Sequence, residues 1–502
     1  MNTCKIVMPF TDNMLNIEFW AFKRQIRNPF VIYADIESLL IPIHEQKSEK
    51  VRVIQKHQAH SIGYYLKSTM DHIIVSRYRM HRGRHCIEWF VNELLKIVKT
   101  IENASRKPMN QLSLDQIQKF NSTTHCHMCK KPFLNEDIRN ISDNFTLLDD
   151  EDMNNSDAMN IDGEMDENRL LRKVADHCHM TGDYRGAAHI YCNLRYQEPK
   201  IIPVIFHNLS GYDIHFINKH LATAFPGNIR VIGLNKENYI MASKTVLRDK
   251  HNDISTRKYG DLLKHNLQLK FIDSFRFMAS SLEKLAAYLP GDTFQILKSE
   301  WSTLTSTWSL TPSASSLELL QRKGVFPYEY MDDWTKLDEL QLPEKAAFYS
   351  RLRQSGIIDA EYEFAQTIWS NFRCATLGDY SDLYLKTDVL LLADIFENFR
   401  DICKNLYGLD PVHYCTSASL TWDAMLKYTD VRIRLLADIN MLMLVEKGVR
   451  GGISQCSLRY CRSNNRYFPQ QFDGTQPSTF LMYFDVNNLY GYAMMESLSV
   501  NI

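Results

Sequence analysis

No apolar run in this 502-residue sequence approaches the ~18–20 residues that cross a bilayer, so neither a membrane-spanning protein nor a membrane partner is expected. Cysteine is sparse: the eleven present are too scattered for a disulfide framework in a chain of this length. There is no excess of charge of either sign, since 58 basic residues face 59 acidic ones and the net charge is −1. The chain as a whole therefore lacks the basic footprint usual in nucleic-acid binders. Its first twenty residues, MNTCKIVMPFTDNMLNIEFW, have no basic segment followed by an apolar core, so no secretory or transit leader is expected. The setting this implies is intracellular and reducing, nucleus or cytoplasm rather than mitochondrion. What remains is ordinary globular material, 45% apolar, 23% charged and 11% aromatic, enough for about three domains at ~150 residues each.

The near-zero charge is an average of unlike parts. Residues 149–168 (DDEDMNNSDAMNIDGEMDEN) hold nine acids and no base, almost no aromatic, and read as a disordered loop. Residues 431–470 hold seven Arg or Lys against two acids, by composition a solvated face.

Local pattern divides the chain further. PFVIYADIE (29–37) is a buried strand ending in two acids, and AHSIGYYLK (59–67) is its partner. CIEWFVNELLKIVKTIEN (86–103) is an amphipathic helix. From 119 to 199 the chain turns polar and rich in Cys and His, which marks an insert. Strand pattern resumes at 201–208, 229–234 and 267–275, followed by a Ser/Thr-rich loop (302–316) and a mostly helical stretch to 405. Turn residues at 406–422 mark a second boundary, and TFLMYFDV (479–486) is a last strand. The organisation expected is a 1–28 extension, a first domain split into 29–118 and 200–405 around the 119–199 insert, and a further segment at 406–502.

Asp35 and Glu37 stand two apart on a strand, so both side chains leave the same face. Paired carboxylates repel unless a cation lies between them, and Mg²⁺, which takes oxygen ligands, meets that need. A solvated strand end would show the same pair, but here an apolar strand precedes it. HNLSGYD (207–213) adds Asp213, with Asn208 and Tyr212 beside it. YLKTD (384–388) opens an apolar helical run and puts Tyr384 one turn from Asp388. Asp35, Glu37, Asp213 and Asp388 together suit a pair of ions ~4 Å apart that activates water for phosphodiester cleavage, with Tyr384 orienting the water.

In order, YADIES, HNLSGYD and YLKTD resemble the three exonuclease motifs of family B DNA polymerases, D-x-E, N-x(2–3)-[FY]-D and Y-x(3)-D. The likeness is to the protein-primed branch of viruses, organellar linear plasmids and Polinton/Maverick-like transposons. It implies an α/β, RNase H-like 3′–5′ exonuclease domain, followed by the start of a polymerase palm; the small zinc-binding insert interrupting it is read from its own Cys and His residues. Ser281 and Leu282, in SLEKL, resemble that branch's motif for single-stranded DNA and a terminal priming protein, and Lys386 matches its lysine in the third motif. YFDVNNLYGYAM (483–494) resembles polymerase motif A, which makes Asp485 a ligand of the catalytic metals and Tyr490 the residue under the sugar of the incoming dNTP. VRGGIS (449–454) resembles the Y-x-G-G linker, so Arg450, Gly451 and Gly452 would approach the primer-template, with Val449 in place of the tyrosine. For the basic stretch 431–470, template contact is the alternative that only the polymerase resemblance of the flanking segments implies. The family's lysine motif and its Y-x-D-T-D hairpin do not occur before Ile502, and no DNA synthesis is expected of this chain alone.

Cys126-x-x-Cys129 and His189-x-x-Cys192 are two ligand pairs with the spacing of tetrahedral zinc. With DHCHMTGDYRG (176–186) between them, they resemble a His-Me finger of the recombination endonuclease VII type, with His189 replacing a cysteine. That resemblance implies Asp176 and Asn193 as Mg²⁺ ligands and His177 as general base. The readings to be separated are a polymerase carrying a proofreading exonuclease, an inactive DNA-binding relic, and an endonuclease working through the zinc insert.

Overall fold

The computed structural model describes residues 16–48, 51–104, 107–133, 171–196, 200–235, 238–247, 266–300, 314–449, 460–484 and 486–497. They form a larger compact unit, Glu18–Ile433, and a smaller one made mainly of Arg434 onward. The acidic run 149–168 and most of the Ser/Thr-rich loop lie outside the described residues, although the chain is helical from Ala314 to Leu319.

The larger unit opens with three strands, β1 (Phe30–Ser48), β2 (Val51–Ser68) and β3 (Arg77–Arg82). Helices α1 (Cys86–Glu102) and α2 (Leu114–Ser122) follow, then a small hairpin, β4 (Lys173–His177) with β5 (Tyr184–His189), and α3 (Ile190–Arg195). Next come β6 (Ile201–Phe206), α4 (Ile214–Thr223), β7 (Ile229–Gly233), β8 (Tyr239–Thr245) and β9 (Gln268–Asp273). Helices α5 (Leu282–Ala287), α6 (Asp359–Asn371), α7 (Leu377–Tyr407) and α8 (Ser417–Thr429) complete the unit. The strands expected within the larger unit and the 86–103 helix are present within a few residues, and β1 and β2 run well beyond their expected ends. Strands β3 and β8 are additions that the sequence pattern did not single out.

Seven strands make one sheet in the order β3-β2-β1-β6-β9-β8-β7. β1, β2 and β3 pair antiparallel, β6 and β9 run parallel to β1, and β8 and β7 return antiparallel at the far edge. The architecture is mixed α/β.

Both faces of the sheet are covered, which explains the continuous apolar runs of its central strands. Along β1 the residues alternate: Val31, Tyr33 and Leu39 join one core, while Phe30, Ile32, Ala34 and Ile36 join the other. The first core is closed by α7, α5 and α6, through Leu385, Val389, Leu392, Leu282 and Ile368 among others. The second is closed by α1 and α4, whose Phe90, Leu94, Ile97, Ile214 and Ile217 recur at helical spacing. Burying an aliphatic or aromatic side chain of this size is worth ~1.5–3 kcal/mol, so each layer is held by many such increments.

A polar clasp fixes the layers to one another. Arg400 on α7, 1% exposed, donates to Asp410 through Nε (2.9 Å) and a terminal nitrogen (2.6 Å), to Glu397 (2.6 Å) and to the Asn28 carbonyl (2.9 Å). Asn28 returns its amide to Asp410, and Tyr33 donates its hydroxyl to Glu397. Burial alone would raise both acids, but the Arg400 charge and these hydrogen bonds hold Glu397 and Asp410 below the usual carboxylate range. Lys270 on β9 donates to the carbonyls of His413 and Tyr414, so the chain after α7 stays under the sheet. Gly408, at φ +65° with its amide on the Lys404 carbonyl, ends α7 in a left-handed turn.

The insert has its own small core of Phe120, Cys126, Met128, Phe133, Ala187, Ala188 and Cys192, joined by Phe22 from the chain preceding β1. In the smaller unit, helices α9 (Ile439–Gly448) and α10 (Leu489–Met495) flank a loop organised by Asn464, whose side chain bonds the backbone of Asp473, Gln476 and Pro477. The strand expected at 479–486 is not formed: residues 480–484 have no ladder partner among the described residues, and Phe480, Met482 and Phe484 are exposed. An apolar β-branched run becomes a strand only when a neighbour accepts its hydrogen bonds.

Arg400→Ala strips the buried Asp410 of its cation and leaves Glu397 with Arg27 alone. It should cost about 3–5 kcal/mol of stability by urea denaturation of the larger unit. Because Glu397 and Asp410 titrate low in the folded state, the wild-type advantage is fully present above the ordinary carboxylate range and is lost as pH falls from that range through their lowered folded-state values.

Candidate functional site

The alternation of β1 carries chemistry past its apolar part. Asp35 and Glu37 continue the row of Val31 and Tyr33, so both face α7 rather than α1. From α7, Asp388 and Tyr384, one turn apart, point back at them and are buried. One carboxylate oxygen from each of Asp35, Glu37 and Asp388 lies within 4.8 Å of the others. Asp213, at the entry to α4 and 3% exposed, lines the same cavity of about 480 Å³ but stands outside that tight trio.

The loop between β6 and α4 is held in place by Asp273 at the end of β9. Its two oxygens accept from the amides of Asn208 (2.9 Å) and Ser210 (3.0 Å). Asn208 sits at φ +69°, a left-handed conformation that asparagine tolerates. Tyr212 donates or accepts at Ser38 and at His57 Nδ1 (2.7 Å), which fixes its ring against the cavity wall.

Among the lining residues that sequence reasoning missed, Lys323, Tyr328 and His57 touch the expected site residues directly. The Lys323 ammonium pairs directly with Asp388 and stands 5.2 Å from the Tyr384 ring. Tyr328 shares a 2.8 Å hydrogen bond with the Tyr384 hydroxyl. Gly324 follows Lys323, and a Cβ there would lie 3.3 Å from the Tyr384 ring, so a glycine lets this segment approach. That Lys-Gly pair is the one local signal the sequence offered.

Burial and mutual repulsion dominate the electrostatics. Burial, then the Asp388 charge, push Asp35 up to about 7, with Lys323 opposing. Glu37 is raised well above its ordinary value by burial, Asp35 and Asp388, and Asp213 by burial and Asp35. Asp388 is raised by burial against the opposing pull of Lys323. Burial and the Asp388 charge keep Tyr384 protonated well beyond the usual tyrosine range. For Lys323 burial lowers basicity, but Asp388, Tyr328 and Asp35 outweigh it and its pKa is raised. One lysine does not neutralise this many acids. Among the described residues, Asp388 Oδ1 is buried without a hydrogen-bond partner, an acceptor left open. A hard, oxygen-binding divalent ion fits this donor set.

Of the other residues expected here, Leu282 lines the cavity while Ser281 caps α5, accepting from the Lys284 amide. Lys386 does not reach the cavity. Two residues on from Tyr384 it lies across the helix, its ammonium 5.0 Å from the Tyr78 ring, and burial lowers it to about 8. Asp485, Arg450, Gly451 and Gly452 lie outside the described residues. Tyr490 is the second residue of α10 and is exposed.

In the insert, Cys126, Cys129, His189 and Cys192 converge with ligand atoms within 4.8 Å of one another. The turn that presents the first pair is closed by Lys130 at φ +61°, with its amide on the Cys126 carbonyl. His189 faces the cysteines with Nδ1, 3.4 Å from Cys129 Sγ, while Nε2 donates to the Pro132 carbonyl. This is the orienting bond that a metal-binding imidazole needs on its far nitrogen. The second centre expected here fits less well. The Asp176 carboxylate is 3% exposed and is met by His127 Nε2 (3.1 Å) and Arg185 (3.8 Å). His177 ends β4 with its ring 4.5 Å from that of His179, and Asn193 lies on α3.

The sequence pattern of one family, described as DNA polymerase type B, organellar and viral, matches residues 193–502, more than half of the chain. The match takes in Asp213, Tyr384 and Asp388 but not Asp35 and Glu37, which only the folded sheet brings to them. Comparison with curated proteins and with solved structures gives no match.

Without divalent ions, Asp35→Asn removes one repelling charge at nearly constant shape and should raise the melting temperature. An acid raised to about 7 in the folded state binds more protons folded than unfolded. The wild-type disadvantage relative to Asp35→Asn should therefore grow as pH rises from about 4 to about 7, read by thermal melts across that range.

Proposed function

Because the chain belongs to the organellar and viral type B DNA polymerases, we propose that its larger unit is the 3′–5′ exonuclease of such an enzyme, removing nucleotides from the 3′ end of single-stranded DNA. The observation that carries this reading is the meeting of Asp35, Glu37, Asp213 and Asp388, drawn from three distant segments, in one cavity. The strand order, an antiparallel trio followed by two strands parallel to the first, supports an RNase H-like assignment. The place of Leu282 at the cavity supports a single-strand path along the Ser281–Leu282 turn, and with it the protein-primed branch and a terminal priming protein as partner.

Mechanistically, Asp35, Glu37 and Asp388 would hold divalent ions, Mg²⁺ by the family's chemistry, with Asp213 as a further oxygen donor. Such ions lower the pKa of a water and neutralise charge on the departing 3′ oxygen. Tyr384, kept neutral and fixed by Tyr328, orients the attacking water through its hydroxyl. Lys323 pairs with Asp388 when the acids would otherwise be uncompensated, and supplies positive charge near the phosphate as charge develops. Tyr212, locked by His57 and Ser38, and Asn208 form the wall against which the terminal nucleotide rests.

The insert is a zinc-stapled contact module. Three thiolates and one imidazole suit tetrahedral zinc, and closing the knuckle onto the hairpin is what joins its small core. Asp176 serves as a clasp between His127 and Arg185 rather than as an open Mg²⁺ ligand. In the smaller unit, the segment around Tyr490 belongs to nucleotide binding in the family's polymerase palm.

A 3′-labelled linear single strand should be shortened in Mg²⁺, and Asp35→Ala/Glu37→Ala should lower the rate at least ~100-fold, the scale of losing a preorganised electrostatic group. A circular single strand should survive. No digestion by wild type would favour an inactive DNA-binding relic, and nicked circles that persist in the double variant would move the chemistry to His177. The purified chain should also carry one zinc ion by elemental analysis, lost in Cys126→Ser, and zinc removal should unfold the insert while sparing the sheet.

A further inference from the structure

The sequence RYRMHRGRH (77–85) packs four arginines and two histidines into nine positions, and the exonuclease reading uses none of them. In the fold this segment is β3, the exposed edge of the sheet, and the turn after it. Strand parity sorts its cations. Ser61 and Gly63, opposite Glu37 and Asp35, pair with Arg82 and Met80, so those two face the acidic cavity side. Arg77, Arg79 and His81 pair with Leu66, Tyr64 and Ile62, whose side chains join the α1 core, and so leave the opposite face. Arg82 is spent on Asp379 and Asp382, and Arg84 lies over Trp334.

The outward row is built rather than loose. His81 stacks on Trp89 of α1 with ring centroids 5.4 Å apart and planes 24° from parallel. The Arg79 guanidinium lies 5.9 Å over the same ring. Beneath them Glu93, 2% exposed, accepts from Arg79, from Lys96 (2.8 Å) and from the Tyr64 hydroxyl (3.1 Å). One carboxylate thus anchors two cations, and with Arg77 the patch keeps a positive surplus. Charged residues on an edge strand also prevent sheet-to-sheet pairing. That purpose needs neither an aromatic backing nor a buried anchor.

We propose that this edge, Arg77, Arg79 and His81 backed by Trp89 and flanked by Lys96, is a second binding surface for single-stranded DNA, gripping the phosphate backbone on the face of the sheet opposite the carboxylate cavity. Alternate residues of a strand stand ~6.6–6.8 Å apart, a repeat that lets successive cations meet successive phosphates of an extended single strand. The linear row tracks one backbone, which is why the occupant is a single strand rather than a duplex. The choice of DNA rests on the polymerase family, not on the exonuclease reading.

The test is fluorescence anisotropy with a labelled single-stranded oligonucleotide. All proteins carry Asp35→Ala/Glu37→Ala so that nothing is digested. Arg77→Gln/Arg79→Gln should weaken binding roughly tenfold at low salt and flatten the slope of log K against log salt by about 1.4, two contacts at ~0.7 each for single strands. Arg77→Lys/Arg79→Lys keeps both charges and the partner of Glu93, and should bind as the parent does. An unchanged salt slope in the glutamine pair, an equal loss in the lysine pair, or a preference for duplex over single strand would each overturn the proposal. Since no hydrolysis is read, a failure of the exonuclease reading leaves this result standing.

Discussion

Three carboxylates with oxygens within 4.8 Å of one another repel, and the fold of the larger unit holds them together against that force. Two come from β1 and one from α7, so the burden falls on the contact between that strand and that helix. It is met by a continuous apolar interface, Val31, Tyr33 and Leu39 against Leu385, Val389 and Leu392, and by the Arg400 clasp beyond it. Tyr33, one pleat before Asp35, bonds Glu397, nine residues along α7 from Asp388. Strand and helix are thus locked a short distance from where the acids push them apart. Lys323 relieves part of the repulsion, and the orphaned oxygen of Asp388 marks where more positive charge is wanted.

The same two-residue period divides charge between the faces of the sheet. On one face β1 delivers acids toward α7. On the other, past β2, the edge strand delivers cations held over Trp89 and Glu93. The net charge of −1 conceals this segregation. An acid-lined cavity and a cationic edge can stand in one domain because a sheet lies between them.

The insert and the main sheet are stabilised by different means. The sheet is held by two large apolar cores. The insert has few apolar residues and gathers them around Cys126 and Cys192, borrowing Phe22 from the chain before β1. Its Cys126, Cys129, His189 and Cys192 converge at that core, a donor set that a metal ion would fit. This accounts for Asp176 being drawn into a clasp with His127 and Arg185, since a small core gains from tying knuckle to hairpin.

Spacing alone determined much of this protein. The period of two put Asp35 and Glu37 on one face, the period of 3.6 put Tyr384 over Asp388, and the paired C-x-x-C and H-x-x-C steps named the four residues that converge in the insert. These are local rules, and local rules can be read from a string. Tertiary structure decided the rest. Lys323, Tyr328 and His57 reach the cavity from segments with no periodic signature, and Lys386 turns away from it because two helical residues span more than half a turn. The apolar run 480–484 forms no strand, because a strand depends on a partner that pattern cannot supply. Which charges are neutralised, and which are left to bind something else, depends on distances between residues far apart in the chain, and only the folded sheet sets those distances.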